Sequence, residues 1–501
     1  MLDPGIELEP ERRAVVRELA KIEPSAWNTR SLAKLKENMT ASGKGIPLKY
    51  AYGSDFPYRD PGNDQAIKST NVGIMPSLAK GGLSNVWGSA ILPFRQDDMR
   101  DWPVTASQLA EHYRSVFQFM PLAGRRDGLE QWFDLYTDRP QPLDLSPQAE
   151  AFLNDLQAAQ PELAAGGLHF GASRLALQSE QRNGWAGCRY CGQCMYGCPY
   201  EVPYNSAATV EHFRSNPNFD YRPGVFVRRL KESSSTVQID ALDLSNRDAI
   251  TFTAGRVFVA CGVLSTTRLI AASLEAFDQP LTLHDSQYFL LPLLRYRKVQ
   301  DFDKAKSHTL AQVFLEIFDK AIADSGIHLQ IYTYNDLFDS ALRSMFGPLM
   351  PLINGPARAM MSRMLLIQGY LPSGLSPSIS AVLSRKGDHE ELQLEPIANP
   401  TTQRTLRRVI NKLTENRHLL RAVPISWMVK PGTPGRGFHV GGSFPMRATP
   451  GPLECDRLGR PYGLDRVHIA DATNFPSIPA TTITLTAMAN AHRIGSEAVE
   501  L

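Results

Sequence analysis

The chain has no apolar run of 18 or more residues, no excess of either charge, no disulfide framework and no G-x-G-x-x-G in its 501 residues. Each absence excludes something. Without a long apolar run no stretch is expected to span a bilayer as a helix. The longest uncharged stretch near the middle, Ser344 to Ala357, is short and cut by Gly347, Pro348, Pro351, Gly355 and Pro356. No secretory pattern of a basic segment followed by an apolar one is seen. Fifty-three Lys and Arg against 51 Asp and Glu leave a formal net charge of +2, so neither nucleic acid nor anionic membrane is implied as a partner. Four of the six cysteines sit in one run, leaving Cys261 and Cys455 isolated. That suits a reducing compartment, and a cytoplasmic location is the default expectation. Repeats and low-complexity segments are also missing. What remains is a globular composition, 43% hydrophobic and 21% charged, long enough for two or more domains.

The most informative stretch is Cys188-Arg-Tyr-Cys191-Gly-Gln-Cys194-Met-Tyr-Gly-Cys198-Pro199. Thiols spaced two, two and three residues apart, with proline after the last, follow the bacterial ferredoxin pattern. Soft thiolates select iron–sulfur clusters or zinc. A zinc ribbon separates its two Cys-x-x-Cys pairs by roughly 15–20 residues, whereas two residues lie between Cys191 and Cys194. An iron–sulfur cluster is therefore expected, with structural zinc or a chance cluster as alternatives. In two-cluster ferredoxins the cysteine before proline serves the other cluster. Cys188, Cys191 and Cys194 are the firm expected ligands and Cys198 the fourth, with Cys455 or Cys261 as substitutes through space. Four cysteine ligands give a 4Fe-4S cluster; loss of the fourth gives 3Fe-4S.

Residues 1–285 alternate strand and helix signals and read as α/β. A helix begins after Asp101-Trp-Pro, with Thr105 as N-cap and Leu109, Tyr113, Val116 and Phe117 on one face. Arg256 to Leu269 reads as an apolar strand, a glycine turn at Gly262 and a helix, a geometry in which backbone at Ala260 and Gly262 can approach a cofactor. Residues 286–430 differ, with apolar strands at Tyr288 and at His328–Tyr334, a Met-rich stretch from Met345 to Met364, and an amphipathic helix carrying Leu406, Val409, Ile410, Leu413 and Leu420. Residues 431–501 open on the Pro/Gly-rich turn Pro431–Gly435. Near Met1, Asp3 sits where a dinucleotide-binding unit places the ribose-binding acid, about 20 residues beyond its first phosphate-loop glycine. The coding frame is accordingly expected to continue upstream with G-x-G-x-x-G, and the chain from Met1 to hold FAD weakly.

His439, Gly442, Ser443 and Met446 form H-x-x-G-S-x-x-M, and Ala470, Asp471, Ala472, Thr473 and Pro476 form A-D-A-T-x-x-P. Earlier, Gly81-Gly82-Leu-Ser84-Asn85-Val-Trp-Gly88 precedes Asp101-Trp-Pro103, and Val225 to Leu230 follows the cysteine run. This ordered set resembles the glucose-methanol-choline (GMC) family of flavin oxidoreductases over residues 1–285 and 425–501. The cysteine insert is similar to one in a dehydrogenase-like branch. The resemblance implies an α/β fold: an amino-terminally truncated, FAD-binding Rossmann-like domain (1–285, insert at 181–206, and 431–501) plus an α+β substrate-binding cap (286–430). It further implies flavin contacts at Gly81, Gly82, Ser84 and Asn85, adenine against the backbone at Val227, and the phosphate and ribityl end of FAD at Asp471 and Ala472.

Oxidising an alcohol by hydride transfer to a flavin requires a group that accepts the hydroxyl proton, and histidine is best matched to neutral pH. His439 is the candidate; packing beneath the glycines is the alternative. A limb in the pH profile is then expected near about 6.5, shifted by the site. Where many members of the family carry a second catalytic His or Asn, this chain has Thr482, which can donate a hydrogen bond but not act as a base near neutral pH. The expectation is a dehydrogenase acting on a CH–OH group of a sugar, polyol or other alcohol, passing electrons through the cluster to an external protein or quinone. The competing expectation is a non-catalytic electron-transfer or structural subunit that has lost its flavin site.

Overall fold

The computed structural model describes residues 1–37, 48–181, 186–338, 347, 350–387 and 389–499. Residues 182–185 of the cysteine-rich insert and the Met345 end of the Met-rich stretch lie outside the described residues. The other end of that stretch forms the helix Met350–Met361 and opens the strand Met364–Tyr370.

The chain is a mixed α/β molecule whose largest layer is a seven-stranded sheet. Its order is Ala422–Pro424, Tyr288–Arg295, Met364–Tyr370, Ile327–Tyr332, Val313–Ile317, Leu168–Ala172, with Lys430–Pro431 also paired to Tyr288–Arg295. Every pairing is antiparallel, so side chains alternate strictly between two faces. On the back face Phe289, Leu291, Leu315, Leu329, Ile331 and Ile367 pack against the helices Pro147–Gln157 and Thr402–Glu415 in one buried cluster. The second helix offers Leu406, Val409, Ile410 and Leu413 at helical spacing, as the sequence leads one to expect. It stops at Glu415. Leu420 belongs to a separate turn, Arg417–Leu420, closed by Arg421 in the left-handed region.

The front face is polar. Tyr288, Tyr370, His328, Glu316 and His169 are successive register partners across five strands. Leu290, Gln368, Gln330 and Phe314 make the next row.

A five-stranded sheet joins distant parts of the chain in the order Val440–Gly441, Pro280–Asp285, Ser378–Lys386, His389–Ile397, Ala66–Ser69. Parallel pairing is confined to shorter pieces besides the Ala66–Ser69 edge. Leu2–Asp3 pairs with Arg222–Pro223, and Val257–Val259 with Val467–Ile469. These two pairs stand where a Rossmann-like sheet is expected, but among the described residues they are separate. The helix expected after Asp101-Trp-Pro spans Ala106–Val116, with Thr105 accepting from Gln108 N and the Gln108 side chain returning the bond. It packs on the terminal helix Thr484–Val499, where Tyr113 Oη and Thr486 Oγ1 are 2.8 Å apart.

Candidate functional site

The segment after His439 is laid against residues 472–474 by three backbone bonds: Gly442 N to Ala472 O, Phe444 N to Thr473 O and Met446 N to Asn474 O. That close approach needs glycine. A Cβ at Gly441 would lie 2.2 Å from Ala472 O, and Gly442 has φ +86° with His284 Cδ2 2.5 Å from where its Cβ would stand. Ser443 shares a 2.7 Å hydroxyl contact with Thr267, and Met446 is buried beside Asn490 and Arg493. Most of the H-x-x-G-S-x-x-M residues are thus structural.

His439 is different. Its ring stacks on Tyr370 at 4.6 Å and 19°, and its Nδ1 is sealed from solvent without a hydrogen-bond partner among the described residues. Nε2 is therefore the nitrogen a substrate hydroxyl could meet. Burial, helped by neighbouring His328, pushes its pKa down to about 3. The imidazole is neutral at ordinary pH, as a general base must be.

Around it the front rows of the sheet form a network that the sequence reading did not single out. His328 Nδ1 is 2.6 Å from Glu316 Oε1 and its Nε2 is 3.2 Å from the Gln330 amide. Tyr332 Oη donates to Gln330 Oε1, and Gln368 Nε2 donates to Tyr370 Oη. The available signal was polar residues at every second position of otherwise apolar strands, as in His328-Leu-Gln330-Ile-Tyr332. Thr482, read as a substrate hydrogen-bond donor, is buried, and its Oγ1 accepts from Leu92 N at 2.8 Å, a bond that leaves the O–H to donate. Its hydroxyl anchors the Leu92–Phe94 segment, just as Thr486 accepts from Phe94 N.

The residues expected at the nucleoside end of a flavin gather at a second place. Asp3 and Asp471 both act electrostatically on Cys261, so the ends of the strands Leu2–Asp3 and Val257–Val259 converge there with Asp471. Ala260, Cys261 and Gly262 are exposed, and a Cβ at Gly262 would meet open space. Asp3 accepts from Gly5 N and Tyr221 Oη, which leaves lone pairs for a ribose diol. Asp471 is committed more heavily, to Thr473 N, Gly262 N and Thr266 Oγ1. Ala472 is buried beneath the Gly441–Gly442 turn. Val227 O, in the backbone expected near adenine, accepts from Arg268 and keeps a second lone pair. This rim fits the ribose end of a dinucleotide; a phosphate cradle is not part of it.

Gly81 and Gly82 adopt positive φ and open a short turn, Gly82–Asn85. Ser84 and Asn85 bond to Asn205 and Ser206 at the start of the helix Ser206–Phe213. Ser84, Asn85 and Trp87 line a cavity of about 1310 Å³ that also reaches Lys49, Cys194 and Cys198. His439 does not line it. The polar sheet face adjoins it: a Cβ at Gly88, next to Trp87, would lie 3.6 Å from Tyr332 Oη.

The cysteine run folds into tight turns at Gly192 and Gly197, both with positive φ. Burial and mutual repulsion push the Cys191 thiol up to about 11, and burial pushes Cys188 up to about 12. Cys455 and Cys261 are not substitutes: Cys455 Sγ contacts Phe444 O, and the charged neighbours of both lie elsewhere. Among the described residues no three His, Cys, Asp or Glu side chains converge closely enough to hold a metal ion. The four thiols nonetheless lie within electrostatic reach of one another, Cys191 and Cys194 acting on both Cys188 and Cys198. No described helix is long and apolar enough to cross a membrane.

No protein-family model and no curated protein matches the chain. Its fold is similar to that of pyridoxine 4-oxidase from Mesorbium loti, at 14% identity and a TM-score of 0.54, covering 100% of this chain and 94% of that one. An FAD-dependent oxidoreductase from Chaetomium thermophilum aligns at 12% identity and 0.54, covering 100% and 98%. Formate oxidase aligns at 14% and 0.54, covering 100% and 97%. At these identities the likeness establishes a shared fold.

Proposed function

We propose that the chain is a flavin-dependent dehydrogenase of the glucose-methanol-choline type, oxidising a CH–OH group of a sugar, polyol or other alcohol. The observation that carries this reading is His439, a neutral imidazole set against a sheet face of amide, phenol and imidazole groups. Gln330, Gln368, Tyr332 and Tyr370 offer donors and acceptors suited to a hydroxyl-bearing substrate. His439 Nε2 takes the hydroxyl proton. Asp3 and the exposed Ala260–Gly262 turn hold the ribose end of FAD, and Gly81–Asn85 its ring end. When bound, the flavin supplies a two-electron hydride acceptor. An external protein or quinone then takes the electrons. A cluster held by Cys188, Cys191, Cys194 and Cys198 would carry the electrons out to that acceptor one at a time.

A second reading, a non-catalytic electron-transfer or structural subunit that has lost its flavin site, is favoured by the lack of G-x-G-x-x-G in the 501 residues. Spectra of protein reconstituted with FAD discriminate the two. A flavin band that bleaches on adding an alcohol or sugar supports the dehydrogenase. A broad iron–sulfur band in protein that takes up no flavin supports the second reading.

A further inference from the structure

The front face of the large sheet changes character along its strands, and the register shows where. Tyr370, on which His439 stacks, lies in a row with Tyr288, His328 and Glu316. The next row holds Leu290, Gln368 and Gln330. Beyond it come Pro292, Leu366 and Tyr332, and then Val423, Leu294 and Met364. None of those six carries a charge, and their one polar side-chain atom, Tyr332 Oη, is turned back to Gln330 Oε1 at 3.1 Å. Leu294 stands six residues beyond Tyr288 on the same strand, so the rows run about 20 Å at roughly 3.4 Å per residue.

The two outer rows are not core. Leu294, Leu366 and Met364 are half-buried and Val423 is exposed. Among the described residues none of the four joins a buried apolar cluster, whereas Leu291, Leu293, Leu365 and Ile367 on the same strands all do. A second observation marks where these rows reach solvent. The turn Ser426–Met428 runs between the edge strands Ala422–Pro424 and Lys430–Pro431, tied by the bond from Ile425 N to Pro292 O. It leaves Trp427 83% exposed and Met428 exposed too, with Val423 and Tyr296 exposed on the strands nearby. An apolar strip that begins beside His439 and ends at an exposed apolar edge marks a binding surface. The polar rows, in contrast, are largely paired among themselves, His328 with Glu316 and Gln330, Tyr332 with Gln330, and Gln368 with Tyr370. They have capacity for one hydroxyl group rather than for many. A sugar or polyol laid over the outer rows would lose water from hydroxyls that find no partner there, while an alkyl body gains from the same burial.

We propose that the substrate is a long-chain aliphatic alcohol, its CH–OH group at His439 and its chain lying over Leu290, Pro292, Leu366, Leu294 and Met364 toward Val423. The inference rests on the dehydrogenase reading above and narrows its substrate class.

The test separates binding from turnover. In flavin-free protein, titration calorimetry should show octanol binding at least about 10-fold more tightly than butanol, the added methylenes contributing roughly two- to fourfold each. Leu366→Gln should remove most of that gain. Val423→Asp, at an exposed position that keeps the comparison decidable if Leu366→Gln does not fold, should weaken dodecanol by about 10-fold and octanol far less, because only the longer chain reaches the last row. In protein reconstituted with FAD, kcat/KM for flavin bleaching should rise with chain length through KM, and sorbitol and glucose should fall far below octanol. Equal affinities for octanol and butanol, unchanged chain-length dependence in the folded variants, or a sugar that outperforms octanol overturns the proposal. Tight octanol binding, with Val423→Asp weakening dodecanol, in a protein whose flavin no alcohol bleaches removes the dehydrogenase reading and leaves the apolar site standing.

Discussion

At the scale of single residues, His439 carries the clearest consequences. His439→Ala should slow flavin reduction by about 10²–10⁴-fold, the contribution of a positioned base, as read by stopped-flow bleaching. The pH dependence departs from the sequence expectation. With its pKa pushed down to about 3, His439 is neutral from mildly acidic pH upward, so no limb near 6.5 belongs to it. The same depression sets a stability trend. The unfolded chain binds a proton at about 6.5 that the folded site refuses until about 3. The contribution is complete above 6.5 and is lost as pH falls toward 3, at up to about 1.4 kcal/mol per unit. His439→Phe should flatten that part of a denaturation-midpoint profile. Thr482→Val removes both the bond from Leu92 N and the donor to substrate; about 1 kcal/mol of stability should be lost, with flavin bleaching slowed by the worth of about one hydrogen bond, read by denaturation and stopped flow. His439 was legible because its spacing to Gly442, Ser443 and Met446 is distinctive. Glu316 and His328 were not, because 12 residues separate them in the chain and only the antiparallel register of their strands makes them neighbours.

At the scale of elements, strand and helix positions were legible and their partners were not. Periodicity placed the helices Ala106–Val116 and Thr402–Glu415 and the strand at Tyr288. Nothing in Leu168–Ala172 says that it closes the edge of a sheet whose other strands lie after residue 287; that pairing is decided by the back-face core it shares with Phe289 and Leu315. The bend between Pro280–Asp285 and Tyr288–Arg295 holds a second pH-sensitive group. Asp285 is buried, accepts from Gly435 N through Oδ2, and has Oδ1 without a partner among the described residues. Burial pushes its pKa up to about 7. A raised carboxyl pKa means the folded state holds the proton longer than the unfolded chain. The contribution is complete below about 4 and is lost as pH rises through about 7. Asp285→Asn should remove this loss, raising the thermal midpoint at pH 8 relative to wild type more than at pH 4. Gly441→Ala should act in the opposite direction at every pH, because its Cβ would meet Ala472 O at 2.2 Å. A cost of about 1–3 kcal/mol is expected, read as a lower denaturant midpoint.

At the scale of the whole molecule, the open questions are which groups it carries. If the Asp3 and Ala260–Gly262 rim holds FAD, adding FAD at 100 times its dissociation constant should stabilise the fold by about 2.7 kcal/mol, seen as a higher melting midpoint. Riboflavin, which lacks the ribose end, should not match it. Elemental analysis of anaerobically purified protein decides the cysteine run: iron that disappears in Cys191→Ser supports the cluster, zinc refutes it, and neither metal leaves the run structural. Spacing made that run the most conspicuous feature of the sequence, and its thiols lie within electrostatic reach of one another in the fold. The large sheet divides its labour by side-chain parity. Odd-numbered positions on Ile327–Tyr332, and their register partners, hold the apolar back, while even-numbered ones face the site. Exchanging Gln330, Gln368 or Tyr332 therefore leaves the back-face packing untouched. A lineage of such proteins could drift from one alcohol to another by altering one side of a single layer, with its folding free energy secured on the other.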